Sequence, residues 1–486
     1  MKEYPFCMVL DIGTTNIKCY IISFEGSIVS QATTLTPYKT NICQDLDPEE
    51  VWFSALDVIK KAISLCSSPK EIKAITVIGM AATYIPLSNI GNPLASAILW
   101  SDCRARKETI SFSKKLFLDL KLKTSIGQYP LPMYLPFKIK WMQKNHPSVV
   151  ENTRWWVNIT DYLNMKLTKR KIPITDYSMA SRTMLLNHKN RKWNYQLLRF
   201  FEINENILPD LLSSGSEIGY LDNVLGDEIG LNHSVHIILG SHDHICTALG
   251  AGIINPEVIL DSVGTSEAII ALTSNYLDYQ RVIGNRLNIE EFLLCNFKAL
   301  VGYVAPTGSI LAPWIKKGFG KQIKYYDFQN DFTFFMPPSR HMKTDDFGIL
   351  HLIGSNFSPK QIFNTIIYGL CFETRSIIEK ISLITKNTPK RIIIAGGLAG
   401  HRYINQIKAD LLNREIEVAS EIRLGALGGF ILCGYGLGLF DDMAKAALDL
   451  YANINKEISV PDNKKHSLYE EIYHEYLQNI SRNNLQ

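Results

Sequence analysis

A strand–turn–strand pattern rich in glycine and threonine occurs twice in this sequence, once at the start and once about halfway along. In the first copy an apolar run ends at Asp11, the turn at 13–15 reads Gly-Thr-Thr, and a run of β-forming residues follows. In the second copy the apolar run ends at Asp261 and the turn at 264–266 reads Gly-Thr-Ser. Short glycine-containing turns between β-forming runs predict β-hairpins. The chain is therefore expected to contain two similar hairpins, one in each half.

Length, composition and charge exclude several classes of protein. The chain has 486 residues, which favours two large domains over a single core. Its net charge of only +4 does not indicate the strongly basic surface that a nucleic-acid-binding protein needs. Nine cysteines without a Cys-x-x-Cys pair indicate reduced thiols, and no secretory cleavage site follows the first residues, so a cytoplasmic protein is expected. The apolar stretch 424–440 is glycine-rich and too short for a bilayer, which predicts a buried helix and no membrane partner.

Periodicity predicts the elements around the two turns. Three antiparallel strands are expected at Phe6–Asp11, Ile17–Phe24 and Ile28–Thr36. A helix is predicted over 47–66, because Asp47 can cap it and proline occupies its first position. Later in the chain, Arg391–Ala395 reads as a short buried strand that ends in two glycines.

The chemistry of both turns suits a phosphate group. A glycine and two hydroxyl residues at a hairpin tip place backbone N–H and O–H donors where an anion can approach closely. Lys18 adds a positive charge to the first turn, and Asp11 could hold Mg²⁺ through water. One such turn could be an ordinary hairpin, but two copies favour a pair of phosphate clamps that face one cleft. The strand before Gly396 and Gly397 would let a nucleotide base or ribose rest against bare backbone.

Six segments in this order resemble the FGGY carbohydrate kinases, the family of glycerol kinase and xylulose kinase within the actin-like ATPase superfamily. The resemblance covers nearly the whole chain. The matching segments are Asp11–Thr15, Trp100–Ala105, Thr175–Ser181, Gly240–His244, Ala248–Gly252 and Gly396–Gly397.

The resemblance implies a fold and an activity. The fold is α/β, with two ribonuclease-H-like (actin-like ATPase) domains and a catalytic cleft between them. The first domain, residues 1–245, would carry the first phosphate loop and the sugar, and the second, residues 246–486, would bind the nucleotide. The implied activity is transfer of the γ-phosphoryl group of Mg·ATP to a hydroxyl of a small sugar or polyol.

The same matches imply catalytic and ATP-binding roles for individual residues. Asp243 falls on the catalytic aspartate of the family, and a carboxylate there could take the proton that the sugar hydroxyl loses as it bonds to phosphorus. Asp11 falls on the residue associated with Mg²⁺. The residues implied to bind ATP are Thr14, Thr15, Lys18, Gly264, Thr265, Ser266, Gly308, Gly396, Gly397 and Asn405.

The sugar side departs from the family pattern. Many members carry Gln-Met-His-Gly or a similar polar loop where residues 80–83 read Met-Ala-Ala-Thr, so Ala81 and Ala82 stand at substrate positions without polar side chains. His244 replaces the amide of several relatives, and it is expected either to bind the substrate or to line the pocket. Asp102 could reach the sugar, or it could pin its loop to the core together with Arg104.

Other interpretations of the same residues stay open. His242 and His244 flank Asp243 and could indicate zinc, although the sequence pattern shows no third ligand. The acceptor could be a ketose, a polyol or a sugar acid, and a non-catalytic actin-like ATP-binding module is the rival from another class. A small-molecule substrate is the expected partner, with a homodimer as an option.

Overall fold

The computed structural model describes residues 5–38, 45–274, 277–318, 333–336, 349–352, 358–419 and 423–483. Within these ranges the strands are, in chain order, β1 (Phe6–Ile12), β2 (Asn16–Ser23), β3 (Ile28–Leu35), β4 (Ile72–Gly79), β5 (Tyr84–Leu87), β6 (Trp155–Asn158), β7 (Ile174–Asp176), β8 (Leu186–Asn187), β9 (Lys192–Trp193), β10 (Asp210–Leu212), β11 (Glu217–Tyr220), β12 (His236–Ile238), β13 (Val258–Val263), β14 (Glu267–Thr273), β15 (Asn288–Glu291), β16 (Lys298–Ala305), β17 (Thr333–Met336), β18 (Ile349–Leu352), β19 (Arg391–Ala395), β20 (Ile416–Ala419) and β21 (Glu457–Ser459).

The α-helices of the same ranges connect and cover these strands. They are α1 (Pro48–Ser64), α2 (Arg106–Leu118), α3 (Leu120–Lys123), α4 (Leu135–Asn145), α5 (Pro147–Asn152), α6 (Ile159–Thr168), α7 (Tyr177–Ser181), α8 (Tyr195–Phe200), α9 (Asn223–Ile229), α10 (Asp243–Gly250), α11 (Tyr279–Gly284), α12 (Thr307–Lys316), α13 (Pro359–Thr385), α14 (Arg402–Leu412), α15 (Leu424–Gly436), α16 (Met443–Ala452) and α17 (Asn463–Asn483).

The chain divides into two compact units. Unit 1 comprises Met1–Ile254, Tyr276–Ala299 and Arg423–Asn453, and unit 2 comprises Asn255–Asn275, Leu300–Ile422 and Ile454–Gln486. This division assigns Arg423–Asn453 to unit 1, whereas the sequence boundary at 245/246 uses two continuous segments. The assignment of sugar and nucleotide to those two segments stays a prediction.

Unit 1 contains a six-stranded sheet in the order β11-β12-β4-β1-β2-β3. Strand β1 pairs antiparallel with β2 and parallel with β4. Its side chains alternate between the two faces of the sheet. Met8 and Leu10 lie in a core with apolar residues of α1 and α6, while Val9 faces Gly429 of α15. The sheet is thus covered by helices on both faces.

Unit 2 repeats the pairing of the opening hairpin. Strand β13 pairs antiparallel with β14 and parallel with β19, and β19 pairs parallel with β20. Along this sheet the strands β16, β14, β13, β19, β20 and β21 are neighbours in that order. The two predicted hairpins are therefore confirmed, each with a parallel strand beside its first strand.

The predicted elements of unit 1 are confirmed with small shifts of their ends. Helix α1 begins at Pro48, and the Asp47 side chain accepts a hydrogen bond of 3.0 Å from the backbone N–H of Glu49. The apolar stretch 424–440 contains α15, which is buried against α10 and the sheet. A Cβ atom at Gly428 would overlap the carbonyl oxygen of Cys246, so glycine lets the two helices approach closely. In the part of the chain that the structure describes, no helix combines the length and apolarity needed to cross a bilayer.

Candidate active site

Asp243 is the first residue of α10 and lies in unit 1. Its Oδ1 accepts a hydrogen bond of 2.7 Å from the backbone N–H of His244, and its backbone oxygen accepts one of 2.8 Å from Thr247 Oγ1. The side chain is 30% exposed, so the carboxylate is accessible from one side. One oxygen is anchored by the helix start, which leaves Oδ2 as the oxygen available to a ligand.

The segment before α10 is held in place by polar contacts with α7. The Ser178 hydroxyl lies 2.6 Å from the Ser241 hydroxyl and accepts a hydrogen bond of 3.0 Å from the His242 backbone N–H. Asp176 caps α7 by accepting from the Ser178 N–H, and it also accepts from Ser214 Oγ at 2.8 Å. Ser178, Ser241 and Asp176 are buried and Ser214 is half-buried, so these contacts restrain the loop. The Thr175–Ser181 segment therefore supports the position of Asp243 rather than reaching a ligand.

Asp243 is linked to two buried ionisable side chains and an arginine through a series of contacts. His242 Nδ1 lies 3.0 Å from Glu290 Oε2, and His242 Nε2 lies 3.2 Å from Asp243 Oδ1. Glu290 Oε1 accepts a hydrogen bond of 2.9 Å from the Arg182 guanidinium. Burial alone would raise the pKa of Glu290, but the charges of Arg182 and His242 outweigh it and lower that pKa to about 2. Glu290 is therefore a buried anion at neutral pH.

The two histidines beside Asp243 form the arrangement that suggested zinc. The ligand atoms of His242, Asp243 and His244 all lie within 4.8 Å of one another, so Asp243 supplies the third ligand that the sequence pattern lacked. Burial lowers the pKa of His244, while the Asp243 charge opposes that effect. Asp243 cannot be a zinc ligand and an available base at the same time, so the zinc and kinase interpretations exclude each other.

Asp11 and Lys18 face each other across the opening hairpin. They are paired residues in the register of β1 and β2. Burial raises the pKa of Asp11 to about 6, with Lys18 opposing the shift and the Asp243 charge adding to it. The two carboxylates thus influence each other, and a cation near them would relieve their repulsion.

The tip of the opening hairpin is braced from two sides. Thr14 Oγ1 accepts a hydrogen bond of 3.0 Å from Trp100 Nε1, and its backbone oxygen accepts one from the Tyr38 hydroxyl. The backbone oxygen of Thr15 accepts from the Thr36 N–H at 3.1 Å, while its side chain is exposed. Trp100 therefore contacts the tip of the opening hairpin, a contact that the sequence did not reveal.

Residues 80–83, which differ from the polar loop of many family members, form a buried loop that a lysine holds in place. Ala81 and Ala82 are 5% and 0% exposed, and Ala82 has a positive φ of 55°. The Lys138 ammonium donates to the carbonyl oxygens of Ala82, Ile98 and Leu99 at 2.8, 3.0 and 2.7 Å. Burial lowers the pKa of Lys138 well below its usual value. The alanine methyl groups can shape a pocket but offer no hydrogen bond.

Asp102 uses both of its carboxylate oxygens within its own loop. Oδ1 accepts from the Arg104 backbone N–H and Oδ2 from Arg104 Nε, each at 2.8 Å. Arg104 also pairs with Asp45 at 2.6 Å and lies over the ring of Trp141. The Asp102 side chain is only 5% exposed. This geometry favours the loop-pinning alternative, and a substrate contact by Asp102 stays a prediction.

In unit 2 the second turn and two glycines predicted to bind nucleotide lie together. The Gly264 N–H donates to the Ser266 backbone oxygen at 2.9 Å, and the Gly308 N–H donates to the Thr265 backbone oxygen at 3.1 Å. A Cβ atom at Gly308 would overlap the Gly264 carbonyl oxygen. Gly396 has a positive φ of 115° and passes equally close to the backbone of β13. These positions require glycine because backbone packs directly on backbone.

A concave pocket in unit 2 lies beside this turn. Asn405, which is 2% exposed, donates to the Ala399 carbonyl oxygen at 2.7 Å and so fixes the segment after Gly397. Open space surrounds Gly397 on the side where a Cβ atom would stand. The pocket is lined by Val263, Glu267, Thr307, Leu311, Ile367, Leu370, Cys371, Leu398, Ile404, Asn405 and Lys408.

A buried ion cluster forms the floor of that pocket. Lys408 Nζ lies 2.5 Å from Asp261 Oδ2 and 2.7 Å from Glu267 Oε1, and all three side chains are at most 2% exposed. Burial opposes the charge on Lys408, but the two carboxylates outweigh it and raise the pKa of the ammonium. The hydroxyls of Thr307 and Thr374 donate to Glu267 at 2.7 and 2.8 Å. Sequence reasoning did not find this cluster, because Lys408 lies far along the chain from Asp261 and Glu267.

Two family models match the sequence. The N-terminal domain of the FGGY family of carbohydrate kinases matches residues 6–250, and the C-terminal domain of the same family matches residues 325–437. Among curated relatives, a xylulose kinase of Lactococcus lactis is 25% identical over 96% of this chain and 95% of its own length. Glycerol kinase 1 of Thermotoga maritima is 24% identical over 96% of this chain and 97% of its own length.

Solved structures share the fold. A xylulose kinase of Lactobacillus acidophilus superposes with a TM-score of 0.86 at 20% identity, covering 99% of this chain and 98% of its own. A gluconate kinase of the same species gives a TM-score of 0.84 at 20% identity, with 99% and 98% coverage. Plasmodium falciparum glycerol kinase with ADP gives 0.83 at 19% identity and covers 98% of each chain. The predicted fold class, with its two actin-like ATPase domains, is confirmed by this likeness.

Proposed function

Because this chain belongs to the FGGY family of carbohydrate kinases, we propose that it transfers the γ-phosphoryl group of Mg·ATP to a sugar or polyol hydroxyl, with Asp243 as the general base. Members of the family are phosphotransferases that act on an alcohol group and take phosphate from ATP. The observation that carries the assignment of the base is the Asp243 carboxylate, whose Oδ1 is fixed by the His244 N–H at 2.7 Å. A fixed carboxylate with one accessible oxygen suits proton abstraction.

The proposed step moves one proton and one phosphoryl group. The acceptor hydroxyl oxygen bonds to the γ-phosphorus, the bond from that phosphorus to the bridging oxygen breaks, and ADP leaves. The hydroxyl proton goes to Asp243 Oδ2. Because the transition state is mainly stabilised by positioning and charge, the rigid support of Asp243 by Ser178 and Ser241 contributes by keeping the base in place.

The donor set around Asp11 fits a hard divalent cation. Carboxylate oxygens are preferred ligands of Mg²⁺, and burial, with the Asp243 charge adding to it and Lys18 opposing it, raises the pKa of Asp11 to about 6. A divalent cation beside Asp11 would stabilise its charged form. Asp11 would hold the ion, in part through water. When bound, Mg²⁺ neutralises charge on the transferring phosphate groups.

We assign the nucleotide to residues of unit 2. The turn of Gly264, Thr265 and Ser266 offers backbone N–H and hydroxyl donors, and the open space at Gly397 leaves room beside the pocket that contains Asn405. Gly396 lets this segment approach β13 closely. Thr14, Thr15 and Lys18 provide the corresponding loop in unit 1. These roles follow from the family match and from the local geometry of each loop.

Thr265→Val is expected to weaken binding of Mg·ATP by about tenfold or more, because a hydroxyl donor to a charged phosphate is removed. Isothermal titration calorimetry with a non-hydrolysable ATP analogue measures the effect. Thr33→Val is the matched control, since Thr33 is exposed on β3 of unit 1. Equal affinity of the Thr265→Val variant and the parent protein would contradict a phosphate role for this turn.

The acceptor is a small carbohydrate, and its identity depends on the loop around Ala82. The relatives above are named for xylulose, glycerol and gluconate, so a ketose, a polyol and a sugar acid are all candidates. A purified sample screened against the three classes, with ADP release and product mass both measured, tests the activity and identifies the acceptor. ATP turnover that no carbohydrate stimulates would favour the non-catalytic module.

A homodimer stays a prediction, which light scattering would test.

Ala82→His is not expected to create activity on an ordinary ketose. Ala82 is fully buried with φ at 55°, and its carbonyl oxygen binds Lys138, so an imidazole has no space and adds strain. The melting temperature should fall by several degrees, as overpacking typically costs about 1–3 kcal/mol. Differential scanning fluorimetry and the ketose assay on the same sample check both points. Full ketose activity in a stable variant would show that the loop accommodates a family-like histidine.

A further inference from the structure

We propose that Glu290 and His242 form a positioning pair that orients the Asp243 carboxylate and so sets how well it acts as a base. The proposal rests on the proposed function, because it takes Asp243 as the base. It adds two residues that act through Asp243 rather than on the substrate. One of them, Glu290, lies on β15 and follows Asp243 by 47 positions in the chain.

Glu290 and Ser178 hold the His242 side chain and backbone on the side away from Asp243. Glu290 is fully buried and is held on its other oxygen by Arg182 at 2.9 Å, so it cannot rotate away from His242. The His242 backbone N–H is also bound, by Ser178 Oγ at 3.0 Å. With its ring anchored at Nδ1 by Glu290 and its backbone anchored by Ser178, the histidine presents Nε2 to Asp243 Oδ1 at 3.2 Å.

The imidazole has a carboxylate oxygen at each of its nitrogens, with Glu290 Oε2 at Nδ1 and Asp243 Oδ1 at Nε2. Both ring nitrogens therefore have a fixed partner. The ring cannot turn about its bond to Cβ without losing both contacts, so Glu290 sets the direction in which His242 meets Asp243.

The consequence concerns the second oxygen of Asp243. Oδ1 faces both the His244 N–H and His242 Nε2, so the carboxylate is held by one oxygen and cannot rotate freely about its last bond. Oδ2 is then presented in one direction to the acceptor hydroxyl. Loss of this restraint lowers the fraction of complexes with the base in a reactive position, and so it lowers kcat more than substrate affinity.

A neighbouring pair provides a matched control. Glu291 follows Glu290 on β15, is equally buried, and pairs with a histidine of its own, His188, at 3.0 Å. It also binds Arg191 at 2.7 Å. Glu291 has Lys298 as a further cationic partner. Successive residues of a strand point to opposite faces, so Glu291 is a buried glutamate paired with a histidine and an arginine, as Glu290 is, but without contact to Asp243. A purely structural effect of removing a buried glutamate charge should appear in both positions.

The test compares Glu290→Gln, His242→Asn and Glu291→Gln in steady-state kinetics and thermal melts. Glu290→Gln and His242→Asn are expected to lower kcat by about 10- to 100-fold, the range typical of groups that orient a reactive residue, with both KM values within about twofold of the parent. Glu291→Gln should lower the melting temperature and leave kcat unchanged. If Glu290→Gln does not fold, His242→Asn carries the test, because its Ser178 contact is made by the backbone.

A double-mutant cycle separates this proposal from the proposed function. Glu290→Gln should have little further effect in an Asp243→Asn background, because the pair acts through Asp243. If Asp243→Asn retains full turnover, the base assignment itself fails. If Asp243→Asn is impaired while Glu290→Gln and His242→Asn keep the parent kcat, or if Glu291→Gln loses as much kcat as Glu290→Gln, the positioning pair is overturned and the base assignment stands.

Discussion

Asp243→Asn is expected to lower kcat by about 10²- to 10⁴-fold, the usual contribution of a general base, while ATP affinity and melting temperature change little. Asparagine keeps the size of the side chain and an oxygen that can accept from the His244 N–H. It removes only the basic oxygen. Steady-state kinetics, calorimetry with an ATP analogue and a thermal melt on one preparation measure all three quantities.

The same measurements distinguish a structural aspartate. If Asp243 served mainly to pair with His242, the asparagine variant would melt earlier and keep its specific activity when folded. Asp222→Asn is a control of the same chemistry, because Asp222 caps α9 by accepting from the Leu225 N–H at 3.1 Å. It should change neither quantity. Parent-like turnover in a well-folded Asp243→Asn protein would remove Asp243 from the reaction.

The parts of this structure that sequence predicts well are those set by local chemistry. A Cβ atom at Gly13 would lie 3.0 Å from the Asn16 carbonyl oxygen, and the β-forming runs that flank the turns at 13–15 and 264–266 leave few alternatives to hairpins. Helix α1 begins where Asp47 and Pro48 predict it, since capping depends on neighbouring residues only. The resemblance to the family then predicts roles for Asp243 and for the residues of the two turns.

The parts that sequence does not predict depend on contacts between distant segments. Nothing near Glu290 indicates that it meets His242, and nothing near Lys138 indicates that it holds the carbonyl oxygen of Ala82. Asp102 could have reached a sugar as far as its sequence context shows. Only the structure reveals that Arg104 occupies both of its oxygens. Buried polar groups must find partners, but the sequence does not say which partners they find.

Lys408→Met is expected to destabilise unit 2 by about 3–5 kcal/mol, the usual loss when one partner of a buried ion pair is removed. Methionine fills a similar volume, so the main change is the loss of the charge between Asp261 and Glu267. Lys408 lies at 2.5 and 2.7 Å from these two carboxylates, and all three side chains are nearly inaccessible to water. The variant would retain two buried carboxylates without a cation. Chemical denaturation followed by circular dichroism measures the free energy of unfolding.

The pH dependence of that loss identifies its cause. Burial already raises the pKa of Asp261 to about 7, with Lys408 opposing the shift. Without Lys408 the folded-state pKa of Asp261 should rise further above that of the unfolded chain. The pKa of Glu267, which burial would raise but Lys408 holds below its usual value, should rise as well. Stability that depends on such protons is present at low pH and is lost as the pH rises through the folded-state pKa. The Lys408→Met loss should therefore be larger at about pH 8 than at about pH 5.

Lys390→Met is the control, because Lys390 is 71% exposed and pairs with Glu257 at the surface, where an ion pair contributes about 0–1 kcal/mol. A Lys408→Met loss as small as that of Lys390→Met, or one independent of pH, would show that the two carboxylates do not depend on Lys408 for their charge.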